Sequence, residues 1–212
     1  MTASAATHLW IVWLDIAFER QGAAVQARAE QIELGAGAQR FGDALSAEMN
    51  ASIVAIAGAS HAIDALYGEI TPLIRVPDSI EEAWRANGTR RHRRIFETLK
   101  LGCELGARTN SWPASFAWLY DLRDPVVHAQ TAFRATAMHP NGLTHVAQEM
   151  VEYCSENATE AVQLTLDVVM TAITHPLAPD LVAWSERMSA VADHLERAGR
   201  GLDDGSAANV AR

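Results

Sequence analysis

Lysine is almost missing from this 212-residue chain: sixteen arginines accompany the single Lys100. That ratio follows composition and assigns no function by itself. Cysteine is nearly as scarce. Cys103 and Cys154 stand far apart with no Cys-x-x-Cys spacing, which excludes a zinc ribbon and leaves two buried thiols in a reducing compartment as the expectation. No basic region precedes an apolar run at the N-terminus, and the apolar stretch from Leu9 to Leu14 meets Asp15 at once. No signal peptide, membrane span or membrane partner is expected, and the cytoplasm is the default location. Glu-x-x-His and His-Glu-x-x-His do not occur, which removes the ferritin-like and zincin patterns. Gly35-Ala36-Gly37 lacks the third glycine and preceding strand of a dinucleotide loop, Lys100 follows no phosphate-binding loop, and no Gly-x-Ser-x-Gly elbow appears. A net charge of −9 does not suggest a general nucleic-acid-coating surface.

What is present reads as helix after helix. Hydrophobic residues make up 49% and charged residues 20%, so a sizeable core can form. A first helix is predicted from Thr7 to about Glu33, with Leu9, Trp13, Ile16, Ala17 and Ala24 on its apolar face and a break at Gly35-Ala36-Gly37. A second, from about Ala38 to Ile70, turns Phe41, Leu45, Met49, Ile53, Ile56, Ile63, Leu66 and Ile70 inward. A short helix follows from Ser79 to Ala86 and another from Arg90 to about Ala107. Ser111 opens a helix that should end near Leu122, and Pro125 a further one with Asp124 as its cap. Asn141-Gly142 marks a turn before a long helix from Leu143 to about Ile173; the last helix runs from about Asp180 to Ala198. No strands and no solenoid repeat are expected. The class is all-α: one domain over 1–198, a bundle of four to five principal helices, with a disordered tail at 199–212.

The stretch with most chemistry is Leu122-Arg123-Asp124-Pro125-Val126-Val127-His128. An arginine can hold a phosphate, and a histidine can move a proton near neutral pH. Spacing alone decides nothing. Arg followed by His after four to six intervening residues occurs four times here, against about two by chance placement. Context separates the matches. Only Arg123 is followed by a polar side chain, Asp124, and only here does a proline come two places on. On an unbroken helix residues five apart point about 140° from each other. The residue before a proline avoids helical torsions, so a break at Asp124 is expected to let Arg123 fold back toward His128 at a helix start.

These residues, in an all-helical chain of this size, resemble the HEPN superfamily. Its signature is an Arg, usually a polar residue next, then a His after four to six positions. The resemblance implies a helical bundle that pairs as a homodimer, with Arg123, Asp124 and His128 at a shared cleft. It implies RNA as partner and, in many members, metal-independent endoribonuclease activity in toxin–antitoxin, phage-defence or RNA-processing systems, some with an antitoxin protein as partner; other members only bind RNA or nucleotides. No cofactor and no metal are implied. The branch paired with nucleotidyltransferase antitoxins carries a Tyr two places after the His, where this chain has Gln130, so the resemblance does not extend to that branch. The implied chemistry is 2′-hydroxyl attack, with His128 moving the proton and Arg123 stabilising charge on the phosphorus oxygens.

Other features carry two readings each. Arg90, Arg91, Arg93 and Arg94 surround His92 in the one strongly basic run, with Arg85 just ahead. They form either an RNA-binding phosphate patch or a solvated helix start paired with Glu81, Glu82 or Glu97. No aromatic residue is interleaved there for base stacking. His61 and Asp64, with Tyr67 beyond, share one face of the second long helix and either support the cleft or make a helix–helix hydrogen bond. Arg123 and His128 themselves could be structural, the arginine paired with Asp121 or Asp124. A looser metal site on His139, His145 and His175, near Glu149 and Glu152, is the rival enzyme reading, and a non-catalytic helical interaction module of immunity or antitoxin type is the rival without chemistry.

Overall fold

A computed structural model describes residues 8–127 and 135–210. Its elements in chain order are α1 (Leu9–Leu34), α2 (Phe41–Ile74), α3 (Asp78–Ala86), α4 (Arg91–Gly102), a 3-10 turn (Ala107–Ser111), α5 (Trp112–Val127), β1 (Thr136–Met138), β2 (His145–Ala147), α6 (Gln148–Glu152), α7 (Ser155–Thr174) and α8 (Pro179–Val210). The chain is all-α with one small hairpin. It forms two compact units, Met1–Leu66 with Leu122–Val162 and Tyr67–Asp121 with Gln163–Arg212, whose boundaries fall inside α2, α5 and α7.

In the first unit α1 and α2 approach closely. A Cβ added at Gly58 would stand 3.2 Å from the Trp13 carbonyl and 3.3 Å from Ala17, so glycine permits the contact. The buried face of α1 is Trp10, Leu14, Ala17, Gln21, Ala24, Ala27, Arg28 and Gln31. This stripe is rotated from the expected one: Leu9 is 58% exposed, whereas Trp10 is fully buried. Three polar residues on the inner face disguised it. Gly35 ends α1 at φ +69°, a conformation that favours glycine, and its N–H donates to the Gln31 carbonyl at 3.0 Å.

The expectation of no strands, with one long helix from Leu143, is corrected. β1 and β2 pair antiparallel with Ala137 opposite Val146, around a turn at Asn141-Gly142 in which Gly142 has φ +72°. Val146 packs on Phe41 and Leu45, which fixes the register by burying one face. Three-residue strands leave no alternation to read. The helical pattern that follows is then divided at Tyr153-Cys154, between α6 and α7.

In the second unit α4 buries Ile95, Thr98, Leu99 and Gly102 and stops there, short of the expected Ala107. The chain then pairs with the segment before α8: Leu177 N–H donates to the Gly102 carbonyl at 2.7 Å and Glu104 N–H to the His175 carbonyl at 2.8 Å. Phe116 of α5 meets Phe96 at 6.4 Å and Trp112 edge-on at 5.9 Å. Arg75 pairs with Asp180 at 2.6 Å, tying the end of α2 to α8. α8 reaches Val210, where the sequence predicts an end near Ala198. A side chain at Gly102 would overlap Ile74 Cδ1 and Cγ1. Gly102→Ala is therefore expected to destabilise the chain by about 1–3 kcal/mol in a urea melt, as overpacking does. An unchanged melt would mean that Ile74 moves aside freely.

α2 is the one described helix long and apolar enough to cross a membrane, and 50% of its most apolar window is buried, as in a core helix.

Candidate functional site

The geometry around Arg123 departs from expectation. α5 runs unbroken through Arg123, Asp124 and Pro125 to Val127. Asp124 is an exposed residue inside α5, not the non-helical cap expected of it. Pro125 has no N–H for the Asp121 carbonyl, so one helical bond is forgone, yet α5 continues past it to Val127. His128 lies outside the described residues.

Three of the sequence-predicted residues come together in the first unit. Arg123 Nη1 is 3.5 Å from Asp64 Oδ2, with the two side chains 20% and 21% exposed. His61, one turn earlier on α2, lies tilted against Trp13 at 4.8 Å between ring centroids. Burial, then the Arg123 charge, pushes the His61 pKa below its ordinary value, and Asp64 opposes this. His61 is thus biased toward its neutral form, near a guanidinium paired with a carboxylate.

The basic run divides in the second unit. Arg91 stacks over the Tyr67 ring at 4.4 Å. Arg94 Nε donates to the Thr89 carbonyl at 2.7 Å, which holds the turn ahead of α4. Arg90 and Arg93 line an open groove of about 700 Å³ together with Ile80, Trp84, His92 and Leu101. Glu97 pairs with Lys100 at 3.2 Å instead of with an arginine.

Sequence reading missed a buried polar network in the first unit. Glu48 on α2 is 1% exposed and Arg28 on α1 is 5% exposed. Arg28 donates Nη2 to Glu48 at 2.7 Å and Nε to both Glu48 oxygens at 3.1 Å, and it binds Glu156 with both Nη atoms at 2.7 Å. Gln31 Nε2 and the Ser155 N–H, the latter at 2.7 Å, also donate to Glu48. The Ser155 bond comes from the first turn of α7, where a helix favours an anion. Asn141 at the hairpin turn donates to Gln31 Oε1 at 2.7 Å, and His139 Nε2 lies 3.6 Å from Glu48 Oε2. The signal was there to find: Gln21, Arg28 and Gln31 fall in step with Ala17 and Ala24, and Glu48 sits between Leu45 and Met49.

No family model, curated protein or solved structure matches the chain. The site must be read from its own chemistry.

Burial raises the Cys103 thiol to about 12 and the Cys154 thiol to about 11, so both are inert as nucleophiles at neutral pH. Among the described residues no group of three or more His, Cys, Asp or Glu is arranged to hold a metal ion. His139 is buried against Glu48, while His145 and His175 are exposed on β2 and beyond α7.

The network makes stability depend on pH. Burial lowers the His139 pKa, the Glu48 charge opposes this, and the Arg28 charge reinforces it. The folded chain therefore binds fewer protons here than the unfolded one. This contribution is complete above the ordinary histidine pKa of about 6.5 and shrinks as pH falls below it. Burial alone would raise the Glu48 pKa, but its bonds to Arg28 and Ser155 and the Arg28 charge bring it below the ordinary value, so a second loss follows at lower pH. The melting temperature should drop between about pH 7.5 and 5, and His139→Gln should flatten that part of the curve. A variant with the same slope as the parent would remove His139 from the account.

Proposed function

We propose that this chain is an HEPN-like RNA-binding protein that cuts RNA without a metal, by attack of the 2′-hydroxyl on the adjacent phosphorus. It acts in the cytoplasm as a homodimer of toxin–antitoxin or defence type, with Arg123 and His128 at the cleft and an antitoxin protein as partner. One observation carries the reading: the arginine that sequence context singles out has a guanidinium that is mostly buried and paired with Asp64, with His61 one turn from Asp64 on the same helix. A cation held in place before the reaction stabilises charge as it develops on phosphorus oxygens. His128 takes the 2′-hydroxyl proton or gives one to the departing 5′-oxygen, and His61 adds an imidazole beside the same guanidinium.

A second reading has its own support. α5 is unbroken at Pro125, so the backbone break that was to turn Arg123 toward His128 is absent, and the Arg123–Asp64 pair then serves as a helix–helix tie. On this reading the chain is a non-catalytic helical interaction module. Incubation of purified protein with end-labelled RNA in EDTA separates the two. The nuclease reading expects cleavage that persists in chelator and disappears in both Arg123→Ala and His128→Ala. Intact RNA with the parent protein, or cleavage unchanged in either variant, favours the module, and cleavage that needs added metal contradicts both.

A further inference from the structure

We propose that the groove between α3 and the start of α4 holds one nucleotide of single-stranded RNA, with the base against Trp84 and the phosphate against Arg90 and Arg93. α3 buries none of its residues. Its apolar positions Ile80 and Trp84 are one turn apart, so they share a face, and both line the groove. Half-buried Trp84 keeps part of its ring surface open to a ligand. From the other side come Arg90, at the N-cap of α4, and Arg93 one turn on. Both are exposed, and among the described residues neither has an ion-pair partner. Arginines at a helix N-terminus oppose its dipole and lose by it unless an anion sits there, and the free N–H groups of that first turn favour the same anion.

The occupant follows from the mixture. A bare phosphate would leave Trp84, Ile80 and Leu101 unused, and an apolar ligand would leave Arg90 and Arg93 without an anion, since Glu97, which lines the same groove, is paired with Lys100. A nucleotide uses both, and about 700 Å³ lies within the range of small-ligand sites. In a duplex the base faces are already stacked, so Trp84 can take only a base from a single strand. The aromatic residue that the arginine run lacks in sequence comes from the preceding helix. The inference deepens the RNA reading and rests on it for the class of polymer, not on cleavage.

The test is fluorescence anisotropy with a short fluorescein-labelled single-stranded RNA of mixed sequence, and with the same strand annealed to its complement. The protein is the full chain carrying Arg123→Ala, so that the probe stays intact. Adding Trp84→Ala should weaken single-strand binding about tenfold, and Trp84→Phe should restore most of it. Arg90→Ala and Arg93→Ala should each lower the slope of log affinity against log salt by about one. The duplex should bind more weakly, with no response to Trp84. Circular dichroism checks the fold of each variant, and Trp84→Phe keeps an aromatic ring in place where Trp84→Ala removes it. Single-strand affinity unchanged in Trp84→Ala, duplex bound as tightly as single strand, or no binding at low salt would each overturn the groove. Trp84-dependent binding with no cleavage by the parent protein leaves the groove standing and ends the nuclease reading. Arg123-dependent cleavage with binding indifferent to Trp84 does the reverse.

Discussion

Glu48→Ala is expected to cost about 3–5 kcal/mol of folding stability, the range for breaking a buried ion pair by removing one partner. Out of the roughly 5–15 kcal/mol that holds a domain folded, this is a large share. The cost comes from what stays behind. Arg28 would keep its charge in the interior with only the more exposed Glu156 to answer it, and the Gln31 amide and the Ser155 N–H would lose an acceptor. Glu48→Gln keeps the shape and removes the charge, so it should fall between parent and alanine. Urea melts followed by circular dichroism measure the series. A loss below about 1 kcal/mol for Glu48→Ala would mean that water replaces the carboxylate and that the network is not a stabilising centre. The hairpin should respond as well, because Asn141 reaches Gln31 and His139 faces Glu48: amide exchange around Val146 should quicken in the variant.

The second large effect follows from the proposed nuclease chemistry. Arg123→Ala should slow RNA cleavage by about a hundred- to a thousandfold, the loss seen when a fixed donor to a developing oxyanion is removed. Arg123→Lys should recover little, since an ammonium cannot reproduce the planar fork. Asp64→Asn should act more mildly, by freeing the guanidinium while leaving its charge. A drop confined to RNA binding, with an unchanged rate at saturation, would make Arg123 a docking residue.

The helices were legible because their apolar spacing is local. α2 shows this best: Phe41, Leu45, Ile56, Ile63, Leu66 and Ile70 were assigned inward and are buried. Where the reading slipped, the cause lay outside the local pattern. Met49 and Ile53 were expected inside; they are half-buried, and their neighbours Glu48 and Ser52 are buried instead. A carboxylate at such a position makes sense only once Arg28 is known to face it. The hairpin depends on pairing across a turn, and its strands are too short to show a period. A proline usually ends a helix, which is why a break is expected at Pro125; α5 instead carries it inside the helix, giving up one backbone hydrogen bond. Of the candidate site, Arg123, Asp64 and His61 could be named from sequence, and support of the Arg123 cleft was one of two readings for His61 and Asp64; sequence could not choose between the readings, since α2 and α5 are far apart in the chain. Trp84 went unnoticed for the same reason: it belongs to one helix and its arginines to the start of the next.

The most direct measurement is the chemistry of the cut ends. Purified protein is incubated in EDTA with an RNA whose cleavage position has been mapped, and with the same RNA carrying a single 2′-deoxynucleotide on the 5′ side of that position. Attack by the 2′-hydroxyl predicts a 2′,3′-cyclic phosphate and a 5′-hydroxyl from the first RNA, and no cut at that position in the second. A 3′-hydroxyl with a 5′-phosphate, or equal cutting of the deoxy-substituted strand, would contradict it.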